Sequence, residues 1–403
     1  MSVDHTAVQI EKTGHPGLAI GISNAGHLYT HLFTILYATA VLHLPSVFSL
    51  PYGEMLGLAS LGLILFGVGA LPAGWLADRW SKVGMLVIFF LGMGAAGVLT
   101  GLADNATELF FGLTLIGLFA SIYHPVGIAW LVACAKKQGI SLGINGVFGH
   151  LGSAAAPVFV GLMIDHVSWR AAFVLPGVVC ILTGVALFLA WRWQWVGDVH
   201  QDRAPSEPPD AGAVRRVFFI LVITMACNGF VYTGLVNTVP KVFEIGLGNI
   251  LTSSYTEIGL ITGAIIGVSS VCSILGGWLA DRYSARSIYL IFWLLSVVPM
   301  LMVAWASGMV LLLVMLLSMS FVVTFAAAEN MLLARYTPFD WRALAFGARF
   351  VLALGVGGLT LKLAGHLFDE SGNFSLLYIL FAAAAVVAAL GASMLPKSTI
   401  QTA

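Results

Sequence analysis

A hexapeptide, GWLADR, occurs twice in this chain, at 74–79 and again at 277–282. The second copy therefore starts 203 positions after the first in a chain of 403 residues. In both copies a long apolar run comes first, and a basic residue (Lys82 or Arg286) follows shortly after. Two copies in the same context at half-length spacing indicate a duplicated structural unit, so we expect two related halves.

The composition predicts that most of the protein surface faces lipid. Hydrophobic residues make up 59% of the chain and charged residues only 9%, whereas soluble domains carry roughly 25% charged residues. The 45 glycines agree with this, because small side chains let membrane helices approach closely. The net charge of zero gives no reason to expect a nucleic-acid partner.

Twelve apolar runs are long enough to cross a lipid bilayer as helices, which takes roughly 20 residues. They lie at about 18–42, 55–77, 84–103, 108–134, 140–164, 170–193, 217–243, 255–280, 286–306, 309–334, 343–367 and 374–395. The polar segment 194–216 has three prolines and is predicted to link the halves 1–193 and 217–403. We predict an all-α membrane protein with twelve transmembrane helices in two pseudo-symmetric six-helix bundles.

The basic residues predict the orientation. If both termini lie on one side, that side holds fourteen of the eighteen Lys and Arg residues, and the opposite side holds Arg170 and Lys241. Cytoplasmic loops carry an excess of such residues, so both termini are predicted to be cytoplasmic, in the inner (plasma) membrane. The first 17 residues lack the pattern of a cleaved signal peptide, so the first helix is expected to remain in the mature protein.

Both hexapeptides and their surroundings resemble the major facilitator superfamily, whose loop 2–3 signature runs roughly G-x-L-A-D-R-x-G-R-K. The matching residues are Gly74, Leu76, Ala77, Asp78, Arg79 and Lys82 in the first copy and Gly277, Leu279, Ala280, Asp281, Arg282 and Arg286 in the second. Ser81 and Ser284 stand where the family often has glycine. The resemblance implies transport by alternating access, in which two six-helix bundles move around a central site.

The resemblance also implies a conformational latch, formed by Gly74, Asp78, Arg79, Gly277, Asp281 and Arg282. In that family the aspartate of this loop docks on the N-terminus of helix 11 and locks the outward-facing state. Here Asp78 would meet the segment 342–347, and by pseudo-symmetry Asp281 would meet the start of helix 5 near 141–143. The alternative is an ordinary charged helix end beside a basic loop, which the duplication disfavours.

Helices 1, 4 and 5 are similar to the fosmidomycin-resistance-type efflux branch of that family. The similarity lies in ISNAGH (22–27), SIYHP (121–125) and NGVFGHLGS (145–153). The branch tends to have an acid one turn after the first histidine and another after the His-Pro pair, where this chain has His31 and Val126. At both positions the chain therefore lacks an acid that would take part in the proton and substrate chemistry of that branch.

Polar side chains within the spans are the candidate functional residues, because they are costly in a bilayer unless they face the protein interior. In helix 1, Asn24, His27, His31 and Thr34 recur at helical spacing and form one polar face. We expect His27 and His31 to be a proton-responsive or substrate-binding pair, with buried structural histidines as the alternative. A metal site is disfavoured because no third ligand is visible nearby in the sequence, and no cofactor is expected.

The other candidates come from helices 4, 5, 7, 10 and 11. His124 precedes Pro125 and is either a cavity residue or a buried histidine at a kink. Glu329 is either a proton carrier or the partner of Arg349, and a buried arginine suits a carboxylate or phosphonate ligand. The predicted substrate and proton pathway comprises Asn24, His27, His31, Tyr123, His124, Asn145, His150, Asn228, Tyr232, Glu329, Asn330 and Arg349.

The leading hypothesis is a monomeric secondary transporter that exports a small organic, anionic or drug-like compound in exchange for protons. Uptake of a carboxylate or metal chelate is the alternative within transport. A non-transporting membrane sensor would be expected to carry a soluble regulatory domain or long tails, which the short ends of this chain do not provide. An enzyme is not expected, because no phosphate loop, nucleophile elbow or metal-hydrolase motif is present.

Overall fold

Sixteen α-helices make up the described part of the chain. The structure, a computed structural model, describes residues 15–199, 211–248, 250–251, 254–337 and 342–396, except for the side chains of 211–215, 342–344 and 346. In chain order the helices are α1 (Pro16–Ala40), α2 (Leu44–Phe48), α3 (Tyr52–Gly57), α4 (Ser60–Val68), α5 (Ala70–Arg79), α6 (Lys82–Gly101), α7 (Ala106–Ala120), α8 (Tyr123–Cys134), α9 (Gln138–His166), α10 (Ala171–Arg192), α11 (Ala211–Gly246), α12 (Tyr255–Arg282), α13 (Ala285–Val303), α14 (Gly308–Tyr336), α15 (Arg342–Ser371) and α16 (Ser375–Ser393).

The predicted all-α membrane fold is confirmed. Within the described ranges, eleven helical stretches are long and apolar enough to cross a membrane. The 25-residue helix α1 lies against α8 and α9 and completes the twelve predicted helices. Helices α1–α10 pack mainly on one another, as do α11–α16, so each group forms a bundle of six crossings.

Two predicted helices are interrupted. Helix 2 consists of α3, α4 and α5, and helix 4 consists of α7 and α8. Helix 4 breaks at Ser121 and Ile122, just ahead of Pro125. Proline lacks an amide hydrogen and its ring collides with the carbonyl group four residues earlier, which here belongs to Ser121.

Helix α11 begins earlier than predicted. It starts at Ala211, inside the segment 194–216 that was predicted to be a linker. The last proline of that segment is Pro209, and the stretch 211–216, AGAVRR, is rich in residues that favour helix. Of the predicted linker, residues 194–199 and 211–216 are described, and 211–216 belong to α11.

The two bundles touch closely on the side of the protein away from residues 15 and 396, which we call the outer side. Helix α9 packs on α12 there, and α15 packs on α3 and α4. A β-carbon at Gly53 would lie 2.0 Å from the carbonyl oxygen of Gly365, and one at Gly161 would lie 2.2 Å from that of Tyr255. The backbones can come this close only because Gly53 and Gly161 have no side chain.

Helices α9 and α12 separate toward the side that holds residues 15 and 396, which we call the terminal side. No atom lies within 4 Å of the position that a β-carbon would occupy at Gly143, Gly146 or Gly277. These glycines belong to α9 and α12, the helices that are in backbone contact on the outer side. In the described residues, the gap on the terminal side therefore lies between α9 and α12, whereas α5 and α15 stay in contact, since a β-carbon at Gly347 would lie 2.2 Å from Leu71.

Two aspartates join the halves on the outer side, each at the end of one helix and the start of another. Asp165, near the end of α9, accepts hydrogen bonds from Ser254 Oγ (2.5 Å) and from the backbone N–H of Thr256 (2.8 Å) at the start of α12. Asp369, near the end of α15, accepts one from the N–H of Gly53 (2.8 Å) at the start of α3. A carboxylate is favourable at a helix N-terminus, so these outer caps stabilise contact between the halves.

Gly53→Ala is expected to lower the free energy of unfolding by about 1–3 kcal/mol, because α3 and α15 must move apart to admit the methyl group. Gly139→Ala is the matched control, since nothing lies within 4 Å of its β-carbon position. The control should be neutral or stabilising by about 0.5–1 kcal/mol. Thermal unfolding of the purified variants measures both, and equal stability of the two would contradict the close contact at Gly53.

Candidate functional site

The predicted pathway residues gather in two groups on either side of the boundary between the halves. The histidine group consists of His27 and His31 on α1 and His124 on α8. The carboxylate group consists of Glu329 on α14, Arg349 on α15, Asn228 on α11 and Tyr289 on α13. Glu329 and Arg349 each lie about two turns from the terminal-side end of their helix, and His124 lies beside the break in helix 4.

The histidine group brings three imidazole rings together. The ring centroids are 4.9 Å apart for His27 and His31, 5.3 Å for His27 and His124, and 5.6 Å for His31 and His124. All three side chains are partly exposed although they lie within helices of the bundle. Part of the surface of each residue is therefore left uncovered by the protein, and the role of His27 and His31 in the pathway stays a prediction.

Three other predicted residues lie behind the histidines and hold α1, α8 and α9 together. The side-chain amide of Asn145 donates to Asn24 Oδ1 (3.0 Å) and to the Tyr123 hydroxyl (2.8 Å). That hydroxyl in turn donates to the carbonyl oxygen of Ser23 (2.8 Å). Asn24, Tyr123 and Asn145 are all buried, so they position the histidines and do not themselves border the accessible space.

The carboxylate group is an ion pair with two further hydrogen bonds. Arg349 Nε donates to Glu329 Oε1 at 2.9 Å, and the Tyr289 hydroxyl donates to Oε2 at 2.8 Å. The side-chain amide of Asn228 lies 3.3–3.4 Å from the two carboxylate oxygens. The Glu329 side chain is fully buried, whereas 16% of the Arg349 side chain is exposed. Of the two roles predicted for Glu329, the structure shows the pairing with Arg349.

Tyr289 was not predicted. It lies in the apolar run 286–306 and is fully buried, so nothing in the local pattern separates it from a core tyrosine. Only the fold shows that its hydroxyl reaches Glu329. This hydrogen bond matters because a buried carboxylate is tolerated only when its oxygens are paired.

A single aromatic ring separates the two groups. The ring of His124 stacks on that of Phe350 across the boundary, with centroids 5.0 Å apart, and on that of Phe66 at 5.8 Å. Phe350 follows Arg349 in the chain. The histidine group and the ion pair are therefore neighbours within one central site.

The remaining pathway residues are more dispersed. His150 on α9 lies 3.3 Å from Ser273 Oγ on α12 and so links the halves. Tyr232 is 38% exposed on α11. Asn330 follows Glu329, and its side-chain oxygen is buried without a hydrogen-bond partner among the described residues.

The predicted latch residues lie at the terminal side in both halves. Asp78 and Asp281 are exposed. The guanidinium of Arg79 lies over the Trp75 ring at 4.2 Å, and that of Arg282 lies over Trp278 at 4.3 Å, so the two hexapeptides share this local geometry. A β-carbon at Gly74 would lie 3.2 Å from Pro125, whereas no atom lies within 4 Å of the corresponding position at Gly277. The side chain of Arg342, part of the segment expected to receive Asp78, lies outside the described residues.

The chain is similar to known transporters along its length. The sequence profile of the Major Facilitator Superfamily matches residues 24–253 and 242–401. The probable nitrate/nitrite antiporter NarK1 of Thermus thermophilus is 27% identical over 298 residues, which are 67% of this chain and 63% of that protein. The probable sulfoacetate transporter SauU of Cupriavidus necator is 25% identical over 264 residues, which are 58% of this chain and 59% of that protein.

A solved structure shares the fold. The crystal structure of a D-xylose–proton symporter superposes with a TM-score of 0.75 at 15% sequence identity, covering 94% of this chain and 97% of that one. The sequence matches span less than two thirds of the length of either curated relative above.

Proposed function

Because this chain belongs to the Major Facilitator Superfamily, a family of membrane transporters, we propose that it is a secondary transporter that moves a small organic anion together with a proton. Glu329 carries the proton and Arg349 binds the anion. The two bundles alternate access to the central site between them. Both termini are assigned to the cytoplasm, in the inner membrane, and the chain acts as a monomer.

The observation that carries this proposal is the ion pair between Glu329 and Arg349. The carboxylate is fully buried, and the guanidinium is the one member of the pair that is partly exposed. An anion arriving from the accessible space would reach Arg349 first and compete with Glu329 for it. Protonation of Glu329 removes its charge and releases Arg349 for the anion, since a guanidinium binds a carboxylate through charge-assisted hydrogen bonds.

Charge balance makes the two binding events depend on each other. The empty site holds one negative and one positive charge. With a proton on Glu329 and a monovalent anion on Arg349, the site is again neutral. A proton alone or an anion alone would leave a net buried charge, which costs several kcal/mol. Only the empty and the fully loaded forms therefore change conformation readily, which couples the fluxes.

This argument favours uptake over the export suggested by the sequence. Proton and anion bind together at this site, so a proton gradient directed into the cell would drive the anion inward. Two of the relatives are named for anions, nitrate and nitrite in one and sulfoacetate in the other, which supports an anionic substrate. The similarity of helices 1, 4 and 5 to the fosmidomycin-resistance-type branch stays a prediction.

A second candidate is export of the anion in exchange for protons. It is favoured by the relative that is named an antiporter. In that case the anion and the proton would have to exclude each other from the site.

Purified protein in liposomes that contain a pH-sensitive dye tests the two candidates. Sulfoacetate, nitrate and a panel of small carboxylates are added outside at equal pH on both sides. Joint movement with a proton is expected to acidify the lumen, whereas exchange for a proton would make it alkaline. Entry of an anion without any pH change would overturn proton coupling altogether.

A further inference from the structure

The histidine group has a feature that proton and anion binding do not require. Its three imidazoles come from two helices, and one nitrogen of each ring lies within 4.8 Å of those of the other two. The planes of the rings are inclined by 50°, 88° and 73°. Rings in such an arrangement direct lone pairs toward a common point more readily than rings that are stacked.

The tautomer of His27 is set by its surroundings. Its Nδ1 lies 2.7 Å from the backbone carbonyl oxygen of Asn145, which can only accept a hydrogen bond. Nδ1 therefore carries the hydrogen, and Nε2 of the neutral ring keeps a free lone pair. Histidines that bind metal ions usually donate their other ring N–H to a carbonyl or carboxylate in this way.

The rings of His124 and His27 also contact neighbouring residues outside the group. His124 stacks on the rings of Phe66 and Phe350. His27 stacks on Tyr123 at 5.2 Å and covers Gly149, where a β-carbon would come within 2.7 Å of the imidazole. These neighbours restrict the orientations of the two rings, as the residues around a binding site do.

We propose that His27, His31 and His124 bind one divalent transition-metal ion such as Zn²⁺ or Co²⁺. Three histidines leave the fourth position of a tetrahedral ion open. A transported anion with two acidic groups, such as sulfoacetate, can bind Arg349 with one group and fill that position with the other. This last step rests on the proposed function, while the binding of the ion does not.

The ligand set determines which ions fit. Imidazole nitrogens suit zinc, copper, nickel and cobalt, whereas magnesium and calcium require oxygen ligands. Bonds to zinc of about 2.0–2.1 Å place the ligand nitrogens roughly 3.3 Å apart. The three rings, whose nitrogens lie within 4.8 Å of one another, must therefore turn toward the ion when it binds. The nearby charge of Arg349 is balanced by Glu329, so it does not exclude a cation.

Co²⁺ is the probe for this site because its visible absorption reports the coordination geometry. Protein purified without a polyhistidine tag is titrated with Co²⁺ in detergent. We expect one ion per chain, the intense visible bands of a tetrahedral complex, and displacement by Zn²⁺ but not by Mg²⁺. His31→Ala and His124→Ala should each weaken binding by about 10–100-fold or more. His43→Ala is the control, because His43 lies between α1 and α2, outside the histidine group.

The outcomes separate the metal site from the proposed function. Absence of a one-to-one complex in the wild-type protein, or equal binding in His31→Ala, would overturn the metal site whatever the protein transports. Addition of sulfoacetate or another transported carboxylate to the Co²⁺ complex should shift its visible bands. Unchanged bands would refute the open position for the anion, while the dye assay in liposomes decides proton coupling independently.

Discussion

Glu329→Gln is expected to abolish net anion transport while leaving the exchange of one anion for another largely intact. Glutamine mimics the protonated side chain, so Arg349 stays available and the loaded site remains neutral. The empty site, however, would carry the unbalanced charge of Arg349 and could not readily change conformation. Net uptake requires the return of the empty form, whereas exchange does not.

Two assays on the same liposomes separate these steps. Net uptake into empty liposomes should fall to background, and exchange of labelled for unlabelled anion should persist within a few-fold of wild type. Loss of both activities, or retention of both, would contradict the role of Glu329 as the proton carrier.

Arg349→Ala provides the contrasting variant. It should lose net uptake and exchange alike, because it removes the group that binds the anion. It also leaves the fully buried Glu329 without its charged partner, at a cost of about 3–5 kcal/mol in the free energy of unfolding. The double variant with Glu329→Gln should recover most of that stability but no transport, which thermal unfolding and the liposome assays measure.

The second large effect is expected at the outer caps. Asp165→Asn combined with Asp369→Asn removes both carboxylates that bridge the halves at helix N-termini. Each cap contributes about 1 kcal/mol. The ratio of the state closed on the outer side to the state closed on the terminal side should therefore fall by about tenfold or more. The competing state closes on the terminal side, where the predicted latch would engage.

Spin labels at positions 143 and 277 report this equilibrium, because both positions face open space on the terminal side. The double variant should shift the measured distances toward shorter values, and Asp78→Asn should shift them the other way. Asp104→Asn is the matched control, since Asp104 is an exposed aspartate paired with Arg170 inside one half. An unchanged distance distribution in the double variant would show that the caps do not hold the outer side closed.

The sequence predicted those parts of the site that lie within one helix. His27 and His31 share a face because they are four residues apart, and this local periodicity survives folding. His124 joins them from another helix, and no spacing in the sequence records that meeting. The sequence shows no third ligand near His27 and His31 and therefore disfavours a metal site. The fold makes such a site possible, because it brings His124 to the other two histidines.

Charges within the spans were easier to interpret than neutral partners. Glu329 and Arg349 stood out because charges are rare in a bilayer, and their pairing was one of two alternatives considered. Tyr289 carried no such signal. Asp165 and Asp369 appeared only as acids of the outer loops, although they lie close to the repeat spacing, and a comparison of the halves in register would have singled them out.

The ion pair also determines which component of the proton-motive force the protein can use. If the empty site and the site loaded with a monovalent anion and a proton are both neutral, one complete cycle carries no net charge across the membrane. Membrane voltage would then neither drive nor oppose the flux, and only the pH difference would supply energy. Collapsing the voltage with valinomycin and potassium should leave uptake of a monovalent anion unchanged, whereas a divalent anion, which carries an extra charge through the cycle, should respond to it.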